Sequence, residues 1–337
     1  MKTDQFNDII IKTYYNIVKG GGGMVKIRTY TGKDAEIIPD LWNKALPCDM
    51  ISRELFIRKI LLDPNFCEKG FFVAENDGTV VGFLNAVFRR VPIGAGGTLE
   101  SDMGWISAFA VEPSESVAYV GNLLLEAAEK YFAENGKNVI STGYTPVYFT
   151  QGVEKNYLPE YVVLYNDRGY TGIESVAMDV DLTAYRYPEK AEKKKKTLIA
   201  DGFYVGGLKD EYISEYIDSN SDFSNINWSF EFRNRLYMNM DFESVRIAAK
   251  DGKVIGACVF GDPLSSPERF GPFGVSDKYR GMGIGTVLLA DCLFEMKKRN
   301  LHCAWMQWPA DTGSAGSLYY NAGFRVTKSY LTFSKRV

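Results

Sequence analysis

The stretch VSDKYRGMGIGTVLLADCLFEMKKRN, residues 275–300, frames the reading of the whole chain. It leaves an apolar strand-like run and turns through Gly281, Gly283 and Gly285. It then enters a segment with Val287, Leu288, Cys292, Leu293 and Met296 at the spacing of a helix buried on one face. Where such a helix starts, its first N–H groups lack partners and the positive end of its dipole faces the same small volume. Glycines leave that backbone bare, so the amides of residues 281–286 (Gly281, Met282, Gly283, Ile284, Gly285, Thr286) form a cradle for a phosphate, with Arg280 as a cation beside it. The glycines are spaced G-x-G-x-G, unlike the dinucleotide fingerprint, and no acidic residue closes a strand ~20 residues on. No Lys-Ser/Thr follows them, which excludes a P-loop.

The chain has 337 residues, 46% of them hydrophobic and 14% aromatic, enough for two packed cores rather than wholesale disorder. A net charge of −3 argues against a nucleic-acid partner. No apolar run is long enough to span a bilayer, and Asp4 and Asp8 interrupt what a signal peptide would need. The five cysteines form no CxxC pair, which fits reduced thiols and a cytoplasmic location. A single histidine, His302, makes a histidine metal site or a Ser-His-Asp triad improbable, so no metal is expected.

The chain repeats its own order. FFVAENDGTVVGFLNAVFRR and RIAAKDGKVIGACVF both read as hairpins around an Asp-Gly turn. Val111 to Leu125 aligns without a gap on Val275 to Leu289, an offset of 164 residues. Leu164-Tyr165 to Gly169-Tyr170 aligns on Leu318-Tyr319 to Gly323-Phe324, an offset of 154 residues. The ten-residue difference places an insertion in the first copy. Residues 1–23 read as an extension ending in the Gly20–Gly23 joint, and Met24 is an alternative natural start. The expected division is 24–183 for the first copy, 184–196 for a charged linker or helix, and 197–337 for the second copy. Lys193 to Lys196 read as a solvated helix face.

Arg280-Gly281-Met282-Gly283-Ile284-Gly285 resembles the [RQ]-x-x-G-x-[GA] loop of the GCN5-related N-acetyltransferase (GNAT) superfamily, and Leu318-Tyr319 with Gly323-Phe324 resembles its LYxxxGF element. The resemblance covers Ala248–Phe333 closely and Phe71–Asp181 in pattern. It implies an α/β fold of two tandem GNAT units, each a twisted mixed sheet flanked by helices. Acetyl-CoA would lie between a fourth and a fifth strand, here RFGPFGV and CAWMQW. The implied activity is transfer of an acetyl group from acetyl-CoA to a primary amine of a small molecule or peptide, in the second copy; a non-catalytic acyl-CoA sensor or scaffold is the alternative.

The residues carry that chemistry as follows. A strand-end amide between Phe273 and Val275 is the candidate donor to the thioester carbonyl. Tyr319 is the general-acid candidate by its place in the family element, with plain packing as the other reading. Glu268 is the base candidate, with Asp262, Asp311 or a water chain as alternatives. The asparagine common before the LYxxxGF helix is replaced by about Thr312. Pro272 inside the strand predicts a bulge that splays it. Trp228, Phe230, Phe232, Tyr237, Trp305 and Trp308 are either an acceptor pocket or core. In the first copy Ser116, Val117 and Tyr119 replace Arg280, Gly281 and Gly283, and only Gly121 is kept; loss of coenzyme binding there is expected. Oligomeric state is not legible.

Overall fold

Strand-forming runs bounded by Asp-Gly turns build both halves of the molecule. The computed structural model describes residues 24–94, 97–144, 152–218, 222–263, 265–309 and 314–337. Expectations placed on residues 1–23, on Asp311 and on Thr312 lie outside the described residues, as does the side chain of Trp308.

The strands are β1 (Lys26–Thr29), β2 (Phe71–Asn76), β3 (Thr79–Val87), β4 (Met103–Val111), β5 (Val139–Ser141), β6 (Val153–Glu154) and β7 (Thr171–Asp181) in the first half. The second half holds β8 (Tyr204–Gly207), β9 (Val245–Lys250), β10 (Lys253–Phe260), β11 (Phe270–Val275), β12 (Cys303–Pro309) and β13 (Arg325–Arg336). Helices α1 (Ile38–Ala45), α2 (Arg53–Phe56), α3 (Val117–Glu134), α4 (Pro159–Asp167) and α5 (Glu189–Ala200) are followed by α6 (Ile213–Tyr216), α7 (Ile226–Tyr237), α8 (Ile284–Lys298) and α9 (Ser314–Asn321). Both Asp-Gly hairpins form, with Asp77 and Asp251 taking the positive φ that a tight hairpin turn demands.

In each half the fourth and fifth strands run parallel and touch only at one end. β4 pairs β5 over Met103–Trp105 and then continues to Val111 without it, paired only with β3. β11 approaches β12 through one bridge, Arg269 to Trp305. The opening between diverging strands is therefore built twice. The expected irregularity at Pro272 is present, since the β10–β11 register shifts between Cys258 and Phe260.

The halves cross. β13, the last strand of the chain, lies between β5 and β7, and β7 lies between β13 and β12. Each core thus contains side chains from the other half. Phe333 of β13 is fully buried among first-half residues, and Met178 and Val180 of β7 are buried among second-half residues.

Lys193 to Lys196 do not form the uniformly solvated face expected of them. Lys193 and Lys196 are exposed, but Lys194 and Lys195 are half-buried where α5 packs on α8. Lys195 donates to Asp291 at 2.6 Å, Tyr187 donates to the same carboxylate at 2.6 Å, and Arg246 lies 3.6 Å from it. A buried carboxylate on α8 needs partners to offset its desolvation, and α5 supplies one.

Candidate active site

The glycine loop folds as its composition requires. Gly281 and Gly283 both take φ of +78°, which side chains disfavour, and Gly283 caps α8 with no side chain hydrogen-bonded to the first amides. A Cβ at Gly281 would meet nothing within 4 Å, so the loop is open on that side. A cleft of ≈ 700 Å³ lies in front of it. Phe273, Gly274 and Val275 of β11, Arg280, Gly281, Gly283, Ile284, Gly285 and Thr286 of the loop, and Leu318 and Tyr319 of α9 all line this cleft. Asp222, Phe223, Trp228 and Tyr279 complete the lining. The structure thus brings together every residue expected to hold the coenzyme except Met282, which is exposed and does not line the cleft. Arg280 stands at the rim, paired with Asp277 at 2.6 Å.

Tyr319 is buried between the rings of Phe270, Phe273 and Phe324. Burial raises its pKa well above the ordinary tyrosine value, with the neighbouring Cys258 thiol adding to the shift. A phenol in that setting keeps its proton at neutral pH.

Glu268 sits apart from the cleft lining, at the apex where β11 and β12 meet. Its carboxylate accepts from the Ser266 hydroxyl at 2.6 Å, and its backbone carbonyl accepts from the amide of Trp305 at 3.1 Å. Asp262 faces Arg269 at 3.6 Å. Asp262 also lines a second cavity of ≈ 420 Å³ between the halves, with Lys59, Phe230, Glu231, Arg235 and Tyr237. Burial lowers the pKa of Lys59 to about 8. Buried Arg235 donates to the carbonyls of Gly261 and Gly271, tying this cavity to the start of β11. Of the expected aromatic set, Trp228 thus faces the cleft, Phe230 and Tyr237 the second cavity, while Phe232 is core and Trp305 lies under Arg269.

In the first half the groups that form this loop and wall are taken up by the protein itself in three ways. The Ser116 hydroxyl accepts from the amide of Tyr119, capping α3 with its own side chain. The hydroxyl of Tyr161 takes the amide of Val111, the position aligned with Val275. A Cβ on Gly121 would lie only 2.5 Å from Leu164, whereas at the aligned Gly285 the aligned Leu318 stands 3.7 Å away. A hollow of ≈ 420 Å³ at the start of α3 is lined by Glu115 and Glu160, charges that oppose a phosphate. Tyr165, aligned with Tyr319, is wholly buried and stacked on Phe333. Sequence reasoning found the lost glycines and Arg280 but missed Tyr161 and Leu164, whose roles depend on how closely α4 packs on α3.

The parallel-strand opening is built in both halves, and in the second half a glycine loop at a helix start and a tyrosine on the next helix follow it. Two family models match: "Acetyltransferase (GNAT) family" over residues 38–146 and "Acetyltransferase (GNAT) domain" over residues 241–326. Together they take in more than half of the chain, which belongs to the GNAT superfamily and carries two GNAT units in tandem. Comparison with curated protein sequences gives no match. Among solved structures, a GCN5-related glucosamine N-acetyltransferase region in a fungal multi-domain GH3 β-N-acetylglucosaminidase has a TM-score of 0.75 at 18% identity. That match takes in 95% of this chain but 39% of the fungal chain. A GCN5-related N-acetyltransferase from Sphaerobacter thermophilus has a TM-score of 0.65 at 16% identity, covering 93% of this chain and 95% of that one. A tandem GNAT protein from the clavulanic acid biosynthesis pathway follows at 0.60 and 13% identity, covering 93% and 98%. At these identities the likeness speaks for the fold. Among the described residues no helix is long and apolar enough to cross a membrane.

Proposed function

We propose that the protein is an N-acetyltransferase that moves an acetyl group from acetyl-CoA to a primary amine, with the chemistry in its C-terminal half. The observation that carries this reading is the asymmetry of the two helix starts. Gly281 and Gly283–Thr286 line an open cleft, while in the first half the amide of Tyr119, aligned with Gly283, is taken by Ser116 and that of Val111, aligned with Val275, by Tyr161.

Acetyl-CoA fits the cleft because the loop is bare at Gly281, where a Cβ would meet nothing within 4 Å, and when bound it supplies an activated thioester. The loop amides and the end of the α8 dipole hold its pyrophosphate, with Arg280 able to swing from Asp277. A β11 amide between Phe273 and Val275 polarises the acyl carbonyl. Tyr319, which burial keeps protonated at neutral pH, gives its hydroxyl proton to the departing sulfur. Glu268, held by Ser266, takes the amine's proton through water, since it does not line the cleft itself. The amine approaches from the Asp262 side, where Arg235 binds the second cavity to β11. The first half acts as a scaffold.

Calorimetric titration of acetyl-CoA into the wild type and into Gly283→Tyr tests the reading. One site in the wild type, abolished in the variant, is expected. Two sites would return coenzyme binding to the first half. Binding without turnover across an amine panel would make the protein a sensor. Because one neighbour carries a glucosamine N-acetyltransferase region, glucosamine belongs in that panel.

A further inference from the structure

Helix α5 reaches the glycine loop as well as the flank of α8. A Cβ placed on Gly283 would lie 3.1 Å from both Cγ and Cε of Lys194 and 3.5 Å from its Cδ. The alkyl stem of Lys194 therefore runs along the turn that starts α8. Of the four consecutive lysines, Lys193 pairs with Glu189, Lys195 with Asp291 and Lys196 with Glu192. Lys194 alone among them has no ion pair or hydrogen bond among the described residues.

That position is electrostatically odd for a cation. The start of a helix carries partial positive charge, so an ammonium there is opposed by the dipole unless an anion stands between them. The cation of the glycine loop, Arg280, has its own partner in Asp277 at the exposed rim. Nor can α5 easily rotate Lys194 away. The adjacent Lys195 is held on the buried Asp291, which also takes the hydroxyl of Tyr187 from the segment leading into α5. The anchor fixes the azimuth of the helix, and that azimuth directs Lys194 at the loop. The first half has no counterpart: the hollow at the start of α3 is lined by Glu115 and Glu160 instead.

We infer that Lys194, on the helix joining the two halves, is a binding residue for the pyrophosphate of the coenzyme, completing with the loop amides an anion site that the glycine motif builds only in part. This rests on the proposed reading of the cleft. The unpaired ammonium beside a positive helix end is the arrangement an incoming diphosphate would neutralise, and its half-burial strengthens that contact relative to a free surface lysine.

The test is calorimetric and does not need the acceptor. CoA, dephospho-CoA and pantetheine, the last followed by competition, are titrated into the wild type, Lys194→Gln and Lys194→Arg. Lys194→Gln is expected to weaken CoA and dephospho-CoA alike by about tenfold and to leave pantetheine unchanged. Added salt should weaken CoA binding less in this variant than in the wild type. Lys194→Arg should restore most of the affinity, and the unfolding midpoint should not move, because Lys195 rather than Lys194 holds the helix. Equal affinity for CoA in wild type and Lys194→Gln overturns the inference. So does a loss seen with CoA but not dephospho-CoA, which would place the ammonium on the 3′-phosphate, or an equal loss with pantetheine, which would mean general disruption. A wild type that binds no CoA overturns the reading of the cleft, and this inference with it.

Discussion

Tyr319 and Tyr165 occupy aligned places on α9 and α4 and are both buried, yet their surroundings differ. Tyr165 is sealed against Phe333 and Tyr170 in the first core. Tyr319 is packed by three phenylalanines but remains part of the cleft wall. A general acid contributes roughly 10²- to 10⁴-fold to a transfer step. Tyr319→Phe should therefore lower kcat by about 100-fold at neutral pH with the acetyl-CoA dissociation constant unchanged, read by steady-state kinetics beside calorimetry. The pH sign follows from burial. A phenol whose pKa is raised stays protonated through the ordinary tyrosine range, so this group should impose no fall in kcat below about pH 10. An alkaline limb well below that, absent from Tyr319→Phe, would assign the proton to a tyrosine with no such shift. The two tyrosines were equal in the sequence pattern. What separates them is the packing of Leu164 on Gly121 against the looser approach of Leu318 to Gly285, a difference of about an ångström that a motif does not record.

Among elements, α8 and its glycine turn were legible because helix starts and positive-φ glycines write themselves into local sequence. The strand pairs around Asp-Gly were legible for the same reason. Helix α5 was legible as a helix but not in its docking. Four consecutive lysines read as solvated by composition, while two of them turn towards α8 because Asp291 is buried there at 5% exposure. A carboxylate inside an apolar helix face was the available signal, since Asp291 interrupts the run from Val287 to Leu293. Asp291→Ala removes two charge-assisted bonds and the nearby Arg246 contact, leaving a lysine that can still reach solvent and a guanidinium that keeps Glu243 at 2.7 Å. Hydrogen bonds to charged groups are each worth about 1.5–3 kcal/mol, and the escape of Lys195 discounts the total, so a loss of roughly 2 kcal/mol is expected. Urea denaturation monitored by tryptophan fluorescence measures it. A change under about 0.5 kcal/mol would mean that apolar packing alone seats α5 on α8.

Over the whole molecule, the crossing of β7 and β13 is the feature that no local reading could supply. Both strands are long, and either could pair with the neighbours of its own half; partner choice is a long-range decision. In the folded chain β13 completes the first sheet beside β5, and β7 carries β12 on its other edge. Removing the second half would leave β5 and β7 without the strand between them and would take Phe333 from the first core, a loss of about 3–5 kcal/mol for that side chain alone. Removing the first half would strip β7 from β12 and Met178 and Val180 from the second core. Domains that exchange strands this way cannot each hold a full sheet alone, and the bared edges invite aggregation. Two fragments opened between Arg186 and Tyr187 should therefore be insoluble or without a cooperative melt when made singly. Made together, they should copurify as a one-to-one complex that binds acetyl-CoA. If either fragment alone proves monomeric with a sharp unfolding transition, its last strand must be able to fold back into its own sheet. The exchange would then be one of two accessible pairings, and the first half would no longer be an obligatory part of the fold that holds the cleft.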